Sequence, residues 1–574
     1  MPEVVGISTY VWNWEYSKEI AKEIKRRSPQ TLIVMGGPHI SYEVDFKSEL
    51  PFVDVVVTFG GEQQFAEILK EALNPRPCFS QIEGLLTQDS TLTTNIRRKR
   101  VEAIDHFPSP YLSGFFDKII MNNRDLKFNM IIETNRGCPY QCAFCDMQDS
   151  YYQKITSFAL DRVQKELEWA SHHKISYIEC ADSNFGIFKR DIEIAHMIAH
   201  LKNETGYPKM FNFTSAKNQP KFVEQIQKIL GAVNIDRGIS VSLQSLNEPT
   251  QKVIKRWNKS IDDIELTIES YQKQNLECYI ELILGLPLES KESWFHGINY
   301  LLDAGFENAL LIHPLSVVPN TPFTDVQYIN DFDLKYTKTR SPAQGFCYGT
   351  ESPNEREQIC FSSSTMPPQD WIDSYIYSKC IVGAHFFHGL SYYVVKYLKR
   401  EHSISIGDFY SKLFSHYKND SSYFNKKYQV MEKEIRETLF QLRPWGSKIF
   451  GDDDMYWSDQ AAAAMSLISD CASFYQALFN FITHTYKNVD QVQLRSVIDF
   501  NKDMLERPNI NYPYQARYHY NWHSYFKENQ VLQEKEQEVT FNGTNWDSVR
   551  EHGLQTYWYG RKSKRCFIKD TRSL

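Results

Sequence analysis

The sequence predicts an α/β protein in three parts: a partial doubly wound, Rossmann-like sheet, a partial (β/α)6 barrel, and an α-rich C-terminal domain. Three observations predict it. Short apolar runs alternate with amphipathic stretches over residues 1–73, a second strand–helix series runs over 128–325, and helical periodicity dominates 326–574. At 574 residues the chain is too long for one ordinary domain, and 42% apolar with 14% aromatic residues supply sizeable cores.

In the first part, Val4 to Tyr10 reads as a strand, and the amphipathic stretch after it sets Ile20 and Ile24 one turn apart. Thr31 to Met35 is a second strand, ended by Gly36-Gly37-Pro38. Val53 to Thr58 is a third, ended by Gly60-Gly61, and Phe65, Ile68 and Leu69 mark the next helix. Residues 74–127 carry few periodic signals. Asn74-Pro75-Arg76-Pro77 and Pro108-Ser109-Pro110 suit an extended connector, and the basic run Arg97 to Arg100 suits a solvated edge.

Six candidate strands come next: Phe128 to Glu133, Ile175 to Ala181, Met210 to Thr214, Gly238 to Leu243, Cys278 to Leu284 and Ala309 to His313. Helical patterns such as Leu160 to Ala170 and Asp191 to Leu201 separate them, as in an open barrel whose chemistry collects at the C-terminal strand ends. Beyond the barrel, Trp371 to Leu398 and Ser458 to Thr483 read as helices, and the last forty residues are weakly patterned. Asp452-Asp453-Asp454 fits no calcium-loop template and reads as a solvated loop.

Charge and hydropathy exclude several functions. A net charge of −7 gives no electrostatic case for nucleic acid or an anionic membrane surface. The start MPEVVGISTY lacks the basic and apolar regions of a secretory signal. The best candidate for a membrane span, Ile381 to Tyr397, contains His385, His388 and Lys396 and reads as a buried helix. A cytoplasmic location is expected, where eleven cysteines argue against a disulfide scaffold. Cys78, Cys180, Cys278, Cys347, Cys360, Cys380, Cys471 and Cys566 are scattered and read as ordinary thiols.

The remaining three cysteines lie together in Glu133-Thr-Asn-Arg-Gly-Cys138-Pro-Tyr-Gln-Cys142-Ala-Phe-Cys145-Asp, a C-x3-C-x2-C directly after the first barrel strand. Three thiolates on one short loop suit three irons of a cubane [4Fe-4S] cluster and leave the fourth iron open to a small molecule binding through an amine and a carboxylate. A structural zinc site wants four ligands in paired C-x2-C spacing, and no second pair lies nearby. His172 and His173 sit at a helix end and read as surface residues, and an electron-transfer ferredoxin needs a fourth cysteine at a suitable spacing.

This loop, with Phe144 before the third cysteine, resembles the radical S-adenosylmethionine (SAM) signature. The run through ADSNFG, SLQS and ELILGLPLE resembles the subgroup that carries a cobalamin (B12) domain. GISTYVWNWEY, VMGGPHI and VDVVVTFGGE are similar to the second half of that domain, the family's first two strands having no counterpart here. A shortened cobalamin domain is therefore expected. The motif D-x-H-x-x-G, which gives other B12 proteins a histidine ligand, is absent, as in many radical SAM members.

The resemblance implies a radical SAM enzyme whose cluster on Cys138, Cys142 and Cys145 cleaves SAM reductively to a 5′-deoxyadenosyl radical. It implies SAM contacts at Asp182, Ser183 and Asn184 for the methionine moiety and at Gln244 and Ser245 for ribose. Ile283, Gly285 and Glu289 would lie near adenine, with Glu281 standing where the family has its first glycine. Cobalamin contacts would come from Ser8, Gly36, Gly37, Gly60, Gly61 and Glu62, with Trp12 and Trp14 as corrin neighbours or buried anchors. Glu133, Asp146, Lys217 and His313 are expected near the barrel mouth, as substrate contacts or as packing and salt-bridging groups, and none is assignable as a general acid or base.

The implied reaction is cobalamin-dependent methyl transfer to an unactivated carbon of a small-molecule or natural-product-like substrate, with a flavodoxin or ferredoxin as electron donor. Two alternatives stay open: a radical SAM rearrangement, cyclisation or oxidation without methyl transfer, and a non-catalytic metal-binding or electron-transfer module.

Overall fold

The structure, a computed structural model, describes residues 2–41, 46–87, 103–235, 238–256, 261–274, 276–340, 355–419, 423–450, 456–508, 510–554 and 567–573. Arg97 to Arg100, Asp452 to Asp454, Cys347 and Cys566 lie outside the described residues.

The first sheet is built by β1 (Val4–Ser8), β2 (Leu32–Gly36) and β3 (Val55–Val57), parallel and adjacent in that order. Successive residues of a strand point to opposite faces. Ile33 and Met35 accordingly pack with Ala21 and Ile24 of α1 (Trp14–Arg27), while Val34 packs with Phe65 and Ile68 of α2 (Glu62–Glu71). The sheet is thus covered on both faces. It also reaches further than the alternation of residues 1–73 suggests, because β4 (Leu85–Thr87) pairs antiparallel with β3. A strand of three residues is too short to show a period.

The barrel strands stand where the apolar runs place them. β5 (Asn129–Ile132), β6 (Tyr177–Cys180) and β7 (Met210–Asn212) form one parallel sheet. β8 (Ile239–Gln244), β9 (Cys278–Leu284) and β10 (Leu310–Pro314) form a second. Alternation in β9 shows which side is which. Ile280, Leu282 and Leu284 pack with Trp294, Ile298 and Leu301 of the following helix, leaving Tyr279, Glu281 and Ile283 for the concave side. Glu281 is held there by the hydroxyl of Ser242, which donates to its Oε2 at 2.5 Å.

The C-terminal region is helical but not only helical. An antiparallel hairpin, β11 (Lys335–Arg340) with β12 (Arg356–Ser362), abuts the barrel. The last residues, weakly patterned in sequence, contribute to a three-stranded antiparallel sheet of β13 (Tyr514–Tyr520), β14 (Glu534–Asn542) and β15 (Phe567–Ser573). The expected helix Ile381 to Tyr397 is two: a π-helix over Ile376–Phe387 and an α-helix over Tyr392–His402. Both are buried, and among the described residues no helix is long and apolar enough to cross a membrane.

Contacts from beyond β10 help tie the first sheet to the rest of the chain. The Glu355 carboxylate, fully buried, accepts from the backbone N–H of Glu15 (2.9 Å) and Tyr16 (2.8 Å), meeting two of the donors that the first turn of α1 cannot satisfy. Asn320 Nδ2 donates to the Ile40 carbonyl at 2.8 Å.

A candidate cofactor site between the two sheets

The loop that carries the cysteines leaves β5 and is fixed at both ends. Cys138 N–H donates to the Tyr152 carbonyl (2.8 Å) and Ala143 N–H to the Ile254 carbonyl (2.9 Å). Ala143 and Phe144 sink into an apolar cluster with Ile254, Leu286 and Leu315. The start of the loop is held by Asp182, at the end of β6. Its buried carboxylate accepts from Thr134 N–H (2.7 Å), Asn135 N–H (3.1 Å), Asn135 Nδ2 (2.6 Å) and the Thr134 hydroxyl. Burial outweighs these donors and raises the Asp182 pKa to about 6.

The three thiols differ in their surroundings. Asn184 Nδ2 donates to Cys138 Sγ at 3.3 Å, and Arg256 Nη1 donates to Cys142 Sγ at 3.6 Å. Cys145 instead lies 3.7 Å from Asp146 Oδ1. Burial first, and then Asp146, push the Cys145 thiol up to about 12, so a metal must draw off its proton. Lys217 faces the same loop, its ammonium over the Tyr140 ring at 5.4 Å, and burial followed by the Arg256 charge lowers its pKa. Three free thiols on one loop, two receiving N–H donors and flanked by two cations, fit an anionic iron–sulfur cluster.

Of the residues expected for SAM, Ser183, Asn184 and Ile283 meet this loop or the turn after it. Ser183 Oγ donates to Met147 Sδ at 2.9 Å. Asn184 Oδ1 is buried with no partner among the described residues, an unused acceptor that suits an ammonium group. Gln244 ends β8 in the left-handed region, at φ 68°. The Ser245 hydroxyl is bound to Glu289, and the Ser293 hydroxyl takes that carboxylate's other oxygen, so Glu289 ties strand ends together. Burial raises its pKa. Gly285, at φ 104°, is a glycine because a Cβ would lie 2.6 Å from the Cys360 carbonyl oxygen. His313 on β10 is the register partner of Ile283, and burial lowers its pKa. A cavity of about 380 Å³ reaches one flank of the loop at Tyr140, Cys142, Lys217 and Arg256, along the edge of β8.

On the other flank a cavity of about 720 Å³ separates the loop from the first sheet. One wall is made of strand ends, Ser8, Gly36, Gly37, Gly60, Gly61 and Glu62. The opposite wall is Glu133, Arg136, Asp146, Met147, Tyr151 and Tyr152. Gly37 has φ 110°, and a Cβ there would lie 2.4 Å from the Thr9 carbonyl oxygen, so backbone packing already demands it. A Cβ on Gly61 would meet only Val57 Cγ1 at 3.6 Å, which leaves the Gly61 backbone open to a bound group. Trp12 stacks on Tyr10 with ring centroids 4.7 Å apart and is half exposed. Trp14 packs on His39 and the core under α1. An open wall of glycine-bearing strand ends facing the cysteine loop fits a large planar cofactor with a tail, as cobalamin is.

Arg136, which lies within the cysteine run but has no role assigned by the sequence, spans this cavity. It forks onto Glu133 (2.9 and 2.7 Å) and reaches Glu62 Oε1 at 2.8 Å. Glu62 and Glu133 are therefore ion-paired, and the pairs hold the Arg136 charge on. Arg256 also contacts the cysteine loop, and Thr134 and Asn135 hold its start to Asp182, though the sequence alone assigns none of them a role. Only nearness in sequence to the cysteines hints at Thr134 and Asn135, and nothing local marks Arg256, which arrives from after β8.

These parts define a cofactor enzyme in which a cluster loop and a B12-type sheet share one cavity. Residues 1–69 match the B12 binding domain and residues 132–301 match the radical SAM superfamily. The chain carries both domains and is a radical SAM enzyme. It is 29% identical over 548 residues to the cobalamin-dependent radical SAM methyltransferase TokK of Streptomyces tokunonensis, covering 92% of this chain and 80% of that protein. It is also 29% identical over 549 residues to the 2-(S-pantetheinyl)-carbapenam-3-carboxylate methyltransferase of Streptantibioticus cattleyicolor, with the same 92% and 80% coverage. Among solved structures it is similar to the cobalamin-dependent SAM radical enzyme OxsB with aqua-cobalamin and SAM bound, at 13% identity and a TM-score of 0.48, covering 87% of this chain and 75% of that one.

Proposed function

We propose that this protein transfers a methyl group from cobalamin to an unactivated carbon of a small-molecule substrate, in a reaction that consumes SAM twice. The observation that carries the reading is the shared cavity. Ser8, Gly36, Gly37, Gly60 and Gly61 face Asp146 and Met147 of the cluster loop across one space, so a group held by the first wall lies against the second. When bound, the cluster supplies the electron that cleaves SAM and cobalamin supplies the methyl carrier.

The chain's own residues divide the remaining work. Cys138, Cys142 and Cys145 hold the cluster. Ser183, Asn184, Gln244, Ser245, Ile283 and Gly285 hold SAM, with Asn184 Oδ1 accepting from its amino group. Asp182 positions these groups through the four donors on its carboxylate, and Glu289 by tying Ser245 to Ser293. Glu62 and Arg136 close the cobalamin cavity. The relatives act as methyltransferases, one of them named for a pantetheine thioether of a bicyclic carboxylate, and a substrate of that small, polar, natural-product kind suits this chain. A low-potential donor such as a flavodoxin or ferredoxin in the cytoplasm would deliver the electron.

The test is product analysis on anaerobically reconstituted protein given SAM, cobalamin, reductant and 2-(S-pantetheinyl)-carbapenam-3-carboxylate as a trial substrate. Methyl transfer yields S-adenosylhomocysteine and 5′-deoxyadenosine together. Formation of 5′-deoxyadenosine without S-adenosylhomocysteine sinks methyl transfer and leaves a rearrangement or oxidation. SAM cleavage that survives Cys138→Ala sinks the enzyme class.

A further inference from the structure

Arg256 is a buried cation with a structural address. It lies beyond β8, and its Nη2 donates to the carbonyl of Ser242 while Nη1 donates to Cys142 Sγ at 3.6 Å. One guanidinium thus links the end of a barrel strand, where the backbone breaks register between Ser242 and Gln244, to a cluster-ligating sulfur. Asn184, on the other side of the loop, makes the matching contact to Cys138. Cys145 has a carboxylate beside it instead. The three sulfurs therefore sit in a field that is positive at Cys142, mildly so at Cys138 and negative at Cys145.

A hydrogen bond donated to a cluster thiolate, and more so one from a cation, stabilises the reduced and more negative state of the cluster. Reduction adds one electron to the cluster, from [4Fe-4S]2+ to [4Fe-4S]1+, with no bond made to protein. The side of the couple that gains negative charge is the side Arg256 favours.

We propose that Arg256 is a positioning residue that sets the reduction potential of the cluster by donating to Cys142, with Asn184 adding a smaller contribution of the same sign through Cys138. The proposal rests on the cluster reading and assigns Arg256 no contact with substrate. It also separates Arg256 from Lys217, which faces the loop with its ammonium over the Tyr140 ring rather than on a sulfur.

The experiment is an EPR-monitored potentiometric titration of the full-length, cluster-loaded protein, with dithionite as reductant and SAM absent. Iron and sulfide content and the far-ultraviolet circular dichroism spectrum are measured alongside. Arg256→Met is expected to hold four irons and to show a midpoint more negative than the unsubstituted protein, with Arg256→Lys in between. Asn184→Ala is expected to move it the same way by less, and the double variant by roughly the sum. An unchanged midpoint in Arg256→Met overturns the proposal. Should Arg256→Met lose the cluster, Arg256→Lys and Asn184→Ala decide, and either one at the unsubstituted midpoint overturns it. Failure of the unsubstituted protein to hold a four-iron cluster is a separate result, and it sinks the cluster reading itself.

Discussion

Arg136 Nη1 lies 2.8 Å from Glu62 Oε1, and this pair is the bridge between the last helix of the B12-type sheet and the loop that carries the cysteines. The same guanidinium is anchored on its own side by Glu133, three residues back. Glu62→Gln removes only the outer partner, which is more than a third exposed, so the stability loss should stay within about 1 kcal/mol. Arg136→Met leaves both carboxylates facing the cavity and should cost roughly 1–3 kcal/mol. The distinguishing readout is cofactor retention after gel filtration. Both variants should keep their iron and bind cobalamin more weakly, Arg136→Met the more so.

Asp182 is the mooring of the cluster loop. Asp182→Asn swaps an acceptor for a donor against Thr134 N–H and Asn135 N–H, and should destabilise the protein by roughly 2–4 kcal/mol. The iron content of the reconstituted variant should fall sharply, whereas a change confined to SAM affinity would place the carboxylate in the SAM site.

Gly37 and Gly61 separate a packing glycine from a cofactor glycine. Gly37→Ala drives a methyl group into the Thr9 backbone in a left-handed conformation, and should lower stability by about 2 kcal/mol or more. Gly61→Ala meets nothing closer than 3.6 Å, so its melting temperature should be unchanged. Its cobalamin affinity should nonetheless drop several-fold in an equilibrium titration. Unimpaired binding by Gly61→Ala would mean that the cofactor does not approach that strand end.

His385 makes the C-terminal region sensitive to acid. It is fully buried, with Nε2 2.9 Å from the Tyr417 hydroxyl, and burial lowers its pKa to about 3. Between pH 6.5 and 3 the unfolded chain binds a proton that the folded chain refuses. Stability therefore rises with pH across that window and is lost on acidification, by up to roughly 5 kcal/mol for this group. His385→Gln keeps a polar partner for Tyr417 without titrating. Its unfolding free energy should be flatter than that of the unsubstituted protein between about pH 6.5 and 4.5, in urea titrations at each pH.

How much of the molecule is legible in the sequence depends on length and spacing. Strands such as Cys278 to Leu284 announce themselves because one face is apolar, and the C-x3-C-x2-C loop because its ligands are near neighbours. β4 escapes notice because three residues carry no period, and β14 because its exposed Glu534 and Glu536 and half-buried Glu538 and Thr540 hide the alternation of Gln537, Val539 and Phe541. Asp182 and Glu289 read as cofactor contacts on their place at strand ends. What the sequence does not show is that Thr134 and Asn135 also donate to Asp182, and Ser245 and Ser293 to Glu289. Arg256 is invisible for the opposite reason, since it sits 114 residues from the sulfur it serves and belongs to no motif.

Glu355 caps α1 from 340 residues downstream, and this fixes when the molecule can be completed. A chain growing at about 5–20 residues per second waits roughly 20–70 s between emergence of Glu15 and emergence of the group that satisfies it. Until then α1 lacks that cap. Closure of the B12-type layer through this cap therefore waits until every strand of the barrel has been made, and cofactor loading that needs the closed layer follows the emergence of Glu355.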